Sequence, residues 1–180
     1  MGARQAAVTM GDPDLAELWD AHCSYEFESR DVDATMATMV AEPYVNHIPT
    51  MTGGVGYENL HYFYSNHFVG VNPPDLELAP VSRTVGDSSV VDEFILRFTH
   101  TTVMDWMLPG IEPTGRAVEI PMVAIVAFTA DKLSHEHIYW DQASVLVQLG
   151  LLEADGLPIA GAATAQKVLD VGLPSNTLIP

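Results

Sequence analysis

The segment Lys132–Leu152, KLSHEHIYWDQASVLVQLGLL, constrains the fold more than any other. It reads as a strand that runs straight into a short helix. In the strand Leu133, His135, His137, Tyr139 and Asp141 share one parity, and Ser134, Glu136, Ile138 and Trp140 share the other. The first face gathers two imidazoles, a phenol and a carboxylate, the side chains of general acid–base chemistry. A solvated polar face of an antiparallel sheet, with Asp141 as the cap of the following helix, carries the same pattern. Spacing leaves both readings open.

The rest of the chain places this segment at the end of a strand meander that follows a set of helices. Residues 1–11 lack periodicity and read as a loose arm. Asp12-Pro13 is a helix start, and Leu15, Leu18, Trp19, His22 and Cys23 then recur at helical spacing to about Arg30. Asp31 caps a second, short helix with Val32, Met36, Met39 and Val40 as its apolar stripe, stopped at Glu42-Pro43. Tyr44–Pro49 is a short strand, Thr50–Gly56 a plain loop without the lysine of a phosphate-binding loop, and Tyr57–Phe68 a third helix. Strands follow over Leu76–Gly86, where Pro80 implies an edge or a bulge, over Ser88–Met104, and over Arg116–Thr129, which is apolar on both faces and therefore central. Between the last two, Asp105–Thr114 carries Trp106, Met107 and Leu108. A loop this apolar packs down over a cavity or against a partner. After Leu152 the chain is rich in Gly, Ala and Pro, with one or two helical turns within residues 162–170. The organisation expected is an arm (1–11), one domain (12–152) and a C-terminal extension (153–180). Helices first and strands after give an α+β class with segregated helices.

Charge removes several functions. Lys and Arg total 7 against 24 Asp and Glu, a net charge of −17. Such a chain repels phosphate backbones and anionic lipid, so neither nucleic acid nor membrane is an expected partner. No window has the length of apolar sequence that spans a bilayer, and the opening Met-Gly-Ala-Arg-Gln-Ala-Ala-Val is too weakly apolar for a signal peptide. A single cysteine, Cys23, agrees with a reducing cytoplasm and reads as inert core. Hydrophobic residues make up 48% of the chain, enough for a sizeable core.

Four short motifs stand in one order. Val45-Asn46-His47-Ile48-Pro49, Thr99-His100-Thr101, Pro113-Thr114-Gly115-Arg116, and Asp141 followed by Leu146, Gln148, Leu149 and Gly150 resemble successive segments of the SnoaL-like polyketide cyclase and ester cyclase family. That family is part of the nuclear-transport-factor-two-like superfamily. Thr102 stands where the family has a glycine, and His137 where many members have tryptophan. The resemblance spans roughly Asp14 to Leu152. It implies a cone, a strongly curved mixed or antiparallel sheet wrapped by the N-terminal helices. It also implies an aspartate at position 141 that acts in ring closure without metal or cofactor.

A cone leaves a pocket between the concave sheet face and the helices. Its expected wall is Trp19, Phe63, Tyr64, Met104, Trp106, Met122 and Tyr139. Inside it the expected catalytic groups are Asp141, His137 and His100, with His47 near the rim. A carboxyl in apolar surroundings can act first as base and then as acid, and a neighbouring imidazole can polarise a carbonyl. His135 and His137 point the same way about 7 Å apart with no third ligand marked, so no metal site is expected. The function implied is a cytoplasmic, cofactor-free enzyme acting by proton transfer on a small, mostly apolar carbonyl compound, and a homodimer. The reactions in view are cyclisation, isomerisation, dehydration or lactone or epoxide hydrolysis. A silent ligand-binding protein and a protein-interaction domain of the same fold are the rivals.

Overall fold

The computed structural model describes residues 14–180. The arm over 1–11 and the helix start at Asp12-Pro13 lie outside the described residues. Helix α1, Leu15–Cys23, is capped by Asp14, whose carboxylate accepts from the backbone N–H groups of Ala16 and Glu17. The helix does not stop at Cys23. It widens into a π-helical turn over Ser24–Ser29 and ends at Arg30, whose φ of 55° lies in the left-handed region. The Asp31 N–H then reaches back to the Tyr25 carbonyl, closing the end. Asp31 caps helix α2, Val32–Ala37. Helix α3, Tyr57–Phe63, widens in the same manner over Tyr64–Phe68. Such π turns occur mostly as single insertions and concentrate at functional sites.

Six strands form one mixed sheet. They are β1 (Met39–His47), β2 (Thr52–Val55), β3 (Glu77–Val85), β4 (Ser89–Thr99), β5 (Ala117–Thr129) and β6 (Lys132–Trp140), in the order β2-β1-β6-β5-β4-β3. All pairs are antiparallel except β1 with β6. Strand β5 sits between two long neighbours, as its apolar sequence requires. Strand β3 is an edge, and its register shifts between Pro80 and Ser82, so proline brings both the edge and the bulge.

Two expectations about the N-terminal half change. Met39 and Val40 belong to β1, not to α2, and Pro43 sits inside that strand at an irregularity between Met39 and Tyr44. The glycine loop is a strand: Gly53 and Gly54 of β2 pair with Asn46 and Val45. Gly54 has a packing reason. A Cβ there would lie 2.7 Å from the Leu60 backbone nitrogen, so α3 can rest on β2 only where no side chain intervenes.

The core fills the concave side with Trp19, Leu60, Phe63, Tyr64, Phe68, Leu96, Met122, Leu133 and their neighbours. The apolar loop packs inward: Trp106, Met107 and Leu108 are buried. Thr50 and Thr52 donate their hydroxyls to the Trp106 carbonyl at 2.8 and 2.7 Å, and Gln142 donates to the Met107 carbonyl at 2.9 Å. Helices α4 (Gln142–Gln148) and α5 (Ala163–Leu169) pack against β5. The extension is tied back by the Gly161 N–H, which donates to the Ser144 hydroxyl at 3.1 Å. No helix among the described residues is long and apolar enough to cross a membrane.

Candidate functional site

Strand β6 decides the site, through a bulge. Phe128 pairs with Leu133 but Ala127 pairs with His135, so Ser134 is the extra residue. Its hydroxyl donates to the Ala127 carbonyl at 3.1 Å. The extra residue brings Leu133 onto the same side as Glu136, Ile138 and Trp140, and these four are buried. His135, His137 and Tyr139 face outward; Tyr139 is 41% exposed. The apolar Leu133, Ile138 and Trp140 go to the core and take Glu136 with them.

Asp141 is consequently not at the bottom of a pocket. It is exposed at the start of α4, where its carboxylate accepts from the Ser144 N–H at 3.2 Å and the Ser144 hydroxyl at 2.6 Å. His137 lies on the outer face beside Tyr44 and His135, with ring centroids 5.5 and 5.3 Å away. His100 is buried within the turn that joins β4 to β5. There its Nδ1 accepts from the Thr114 N–H at 3.2 Å, and desolvation lowers its pKa. The expected grouping of Asp141, His137 and His100 around one cavity is not found. Among the expected wall residues, Trp19, Trp106 and Met122 line the cavity described below. Phe63, Tyr64 and Met104 are buried core beside it, and Tyr139 is outside.

The cavity lies between the concave face and the two widened helices. Its volume is about 200 Å³, and aromatic rings of Trp19, Phe27, Phe68, Phe94 and Trp106 form much of the wall. A cleft of about 440 Å³ adjoins it and shares Asp20, Cys23, Glu26, Phe27 and Leu78. Cys23 therefore faces the cavity margin and not the core interior, and burial pushes its thiol well up.

Two carboxyl groups that line this cavity, and the imidazole that pairs with them, were not singled out in the sequence. His22 of α1, Glu26 of the first π turn and Glu136 of β6 converge, all buried. The Nε2 of His22 stands 3.1 Å from Glu26 Oε1 and 3.2 Å from Glu136 Oε1. The Tyr64 hydroxyl, from the first residue of the second π turn, donates to Glu136 Oε1 at 3.4 Å. Burial by itself would lower the His22 pKa. The charges and hydrogen bonds of Glu26 and Glu136 outweigh it and push it up to about 10. Burial raises the Glu26 carboxyl above its ordinary value, against the opposing pull of His22. The three donor atoms lie close enough together to hold a metal ion as well as a proton. The signal that could have found them was weak: His22 and Glu26 are four apart on one helix, and Glu136 is the acid on the more apolar face of β6.

His47 lines the same cavity from β1, next to β6. Phe63, Phe68, Trp106 and Trp140 surround it, with ring centroids 5.1–5.9 Å away. Burial lowers its pKa to about 3, so its ring is neutral. Arg83 and Asp92 sit at the cavity edge in a bidentate pair, at 3.0 and 2.8 Å, and Arg83 also reaches Asp20 at 2.8 Å. Trp19 Nε1 donates to Asp92 at 2.9 Å.

No curated protein matches the chain. Solved structures match in fold. A protein described as a SnoaL-like polyketide cyclase from Jannaschia sp. CCS1 superposes with a TM-score of 0.58 at 16% identity, over 84% of this chain and 100% of that one. A protein of nuclear-transport-factor-two-like fold and unknown function from Burkholderia pseudomallei K96243 gives 0.57 at 15% identity, over 74% and 95%. A hypothetical protein of ketosteroid-isomerase-like fold from Catenulispora acidiphila, solved with trimethylamine, gives 0.56 at 14% identity, over 77% and 95%. The sequence model of the SnoaL-like domain matches residues 19–136, a span that runs from the cavity residue Trp19 to the cavity residue Glu136. The chain belongs to the SnoaL-like domain family.

Proposed function

We propose that the protein is an acid–base enzyme for a small, mostly apolar carbonyl compound, and that the chemistry takes place at Glu136, Glu26 and His22. One observation carries this reading: two buried carboxyl groups, Glu26 and Glu136, line a largely aromatic cavity, and the buried His22 imidazole pairs with both of them. With His22 protonated, two ionised carboxylates would leave one unbalanced negative charge in a low-dielectric site. Burial pushes the Glu26 carboxyl up, which suits it to the part of the acid. Glu136, which pairs with His22 at 3.2 Å and accepts from the Tyr64 hydroxyl, is the base. A base and an acid on one wall can take a proton from a C–H or a water and return one to the departing or enolic oxygen. Such proton transfer needs only the chain's own groups. Enolisation with ring closure, double-bond migration, dehydration and lactone or epoxide opening all fall within it. These are the roles that the family resemblance implied for Asp141, transferred to the groups at the cavity.

The test is a panel of small ketones, enones, lactones and epoxides, scored first by thermal shift and then by turnover. Glu136→Gln keeps the shape and one hydrogen-bonding oxygen. It should lose at least about 100-fold in kcat, within the usual contribution of a general base, with the circular dichroism unchanged. Full turnover in a folded Glu136→Gln variant would remove this reading and favour a silent binding protein.

The outer face of the sheet supports a second inference, a homodimer. Val91, Ile125 and Tyr139 on that face are exposed, as are Leu169, Val171, Leu173, Leu178 and Ile179 of the extension. Light scattering at micromolar concentration reads the mass directly, and a monomer there ends the inference.

A further inference from the structure

We propose that His47 holds the oxygen substituent of a neutral ligand of one or two fused rings, and that this contact sets the substrate class of the cavity. The proposal rests on the reading above for where the chemistry happens, but its evidence is separate.

His47 is 1% exposed and lies on the cavity wall, yet neither ring nitrogen has a hydrogen-bond partner among the described residues. The Thr52 backbone is close enough to raise the His47 pKa against the effect of burial, but it does not meet hydrogen-bond geometry with either nitrogen. The other close neighbours are the four aromatic rings named above. A buried imidazole in such a box is unfavourable unless something in the cavity completes its bonding. A neutral imidazole offers one N–H and one lone pair, so a carbonyl oxygen or a hydroxyl can serve.

Placement relates this contact to the reacting groups. In the parallel register of β1 and β6, Val45 lies opposite Glu136 and His47 opposite Ile138. His47 and Glu136 are thus on adjacent strands, two positions out of step, on the same buried face. Strand spacing and rise put their backbones roughly 8 Å apart, a distance that side chains and a single ring can span. An oxygen held at His47 leaves the opposite side of the ring toward Glu136.

Size and charge narrow the class further. A cavity of about 150 Å³ with apolar walls takes benzene, and this one is about 200 Å³. One ring or two fused rings fill it, and a longer skeleton would have to extend into the adjoining cleft. Among the described residues the cations at this cavity are already held, Arg83 by Asp92 and Asp20 and His22 by Glu26 and Glu136. The two glutamates repel anions as well.

The experiment is equilibrium binding to the full chain by calorimetry, with naphthalene, 1-tetralone, 2-naphthol, anthrone and benzyltrimethylammonium as probes. Expected are 1-tetralone or 2-naphthol at least about 10-fold tighter than naphthalene, as for a site built to hydrogen-bond its ligand, with anthrone and the cation weaker than either. The ketone and phenol arms show whether the N–H or the lone pair makes the contact. His47→Phe should bring the oxygenated probes to within about 2-fold of naphthalene. Glu136→Gln should leave the preference in place, so a failure of the acid–base reading does not touch this result. Imidazole nitrogen chemical shifts of the wild-type protein, followed as the oxygenated probe is added, test the contact without any variant, and His47 should be the histidine that moves. Equal affinity for naphthalene and the oxygenated probes, a preference that survives His47→Phe, tighter binding of the cation, an unmoved His47 or no binding of any probe each overturn the proposal.

Discussion

His22 Nδ1 lies 2.6 Å from the Thr38 hydroxyl, and that hydroxyl donates its one proton to the Thr35 carbonyl at 2.7 Å. Thr38 can therefore only accept from His22, and Nδ1 carries a hydrogen. The remaining nitrogen, Nε2, is the one that faces Glu26 and Glu136. A threonine on the far side of the ring thus fixes which nitrogen meets the two carboxyl groups. The same logic orients histidines in metal sites and catalytic dyads.

Thr38→Val keeps the shape and removes the acceptor. The buried N–H is left without a partner, at a cost of about 1–3 kcal/mol, and the imidazolium form loses support. The melting temperature should fall, and the alkaline limb of the pH–rate profile should move to lower pH. Thr38→Ser should restore both. An alkaline limb that does not move in Thr38→Val would show that His22 does not govern it.

Stability should respond to pH in opposite senses through two histidines. His22 has a folded-state pKa of about 10 against an ordinary value of 6.5. Its proton favours the folded chain, so its contribution is complete below about pH 6.5 and is lost as pH rises toward 10. His47 has a folded-state pKa of about 3. Its neutral form favours the folded chain, so that contribution is complete above about pH 6.5 and is lost as pH falls toward 3. Urea unfolding across pH 3–10 should show His22→Gln flattening the alkaline side and His47→Phe flattening part of the acid side. Each difference should be no more than about 5 kcal/mol, the bound set by linkage. Parallel curves for variant and wild type would contradict the assignment.

Asp141 is expected to matter for folding and not for turnover. Asp141→Ala removes a helix cap and should cost about 1 kcal/mol, with kcat/KM unchanged within about 3-fold on any compound the wild type converts. Asp141→Ser should recover most of the stability, since serine also caps. A 100-fold loss of turnover in a stable Asp141→Ala variant would return the aspartate to the chemistry.

Gly54→Ala tests the contact that seats α3 over the sheet. The added methyl would meet backbone atoms of Asn59 and Leu60 at 2.7–2.8 Å, and backbone cannot step aside as a side chain can. A cost of about 3 kcal/mol, the upper end of overpacking penalties, should appear in chemical denaturation. Because α3 leads into the turn that carries Tyr64, ligand affinity should weaken as well.

The chain by itself determined the features that depend on near neighbours. The order of helices and strands, the central place of β5, the edge and bulge at Pro80 and the inward packing of the Trp106 loop could all be read from periodicity and turn chemistry. The capping role of Asp141 was one of two readings that the local sequence allowed. Trp19, Trp106, Met122 and His47 were placed at the cavity because apolar and aromatic residues on a concave face converge there. Tertiary structure alone decided which face of β6 turns inward. Alternation cannot reveal the extra residue at Ser134, and burial of Leu133, Ile138 and Trp140 outweighs the cost of burying one glutamate. That cost is met by His22 and Tyr64, which are 114 and 72 residues away in the chain. A buried charge is tolerated only where its partners arrive, and partners so distant in sequence are brought together by the fold.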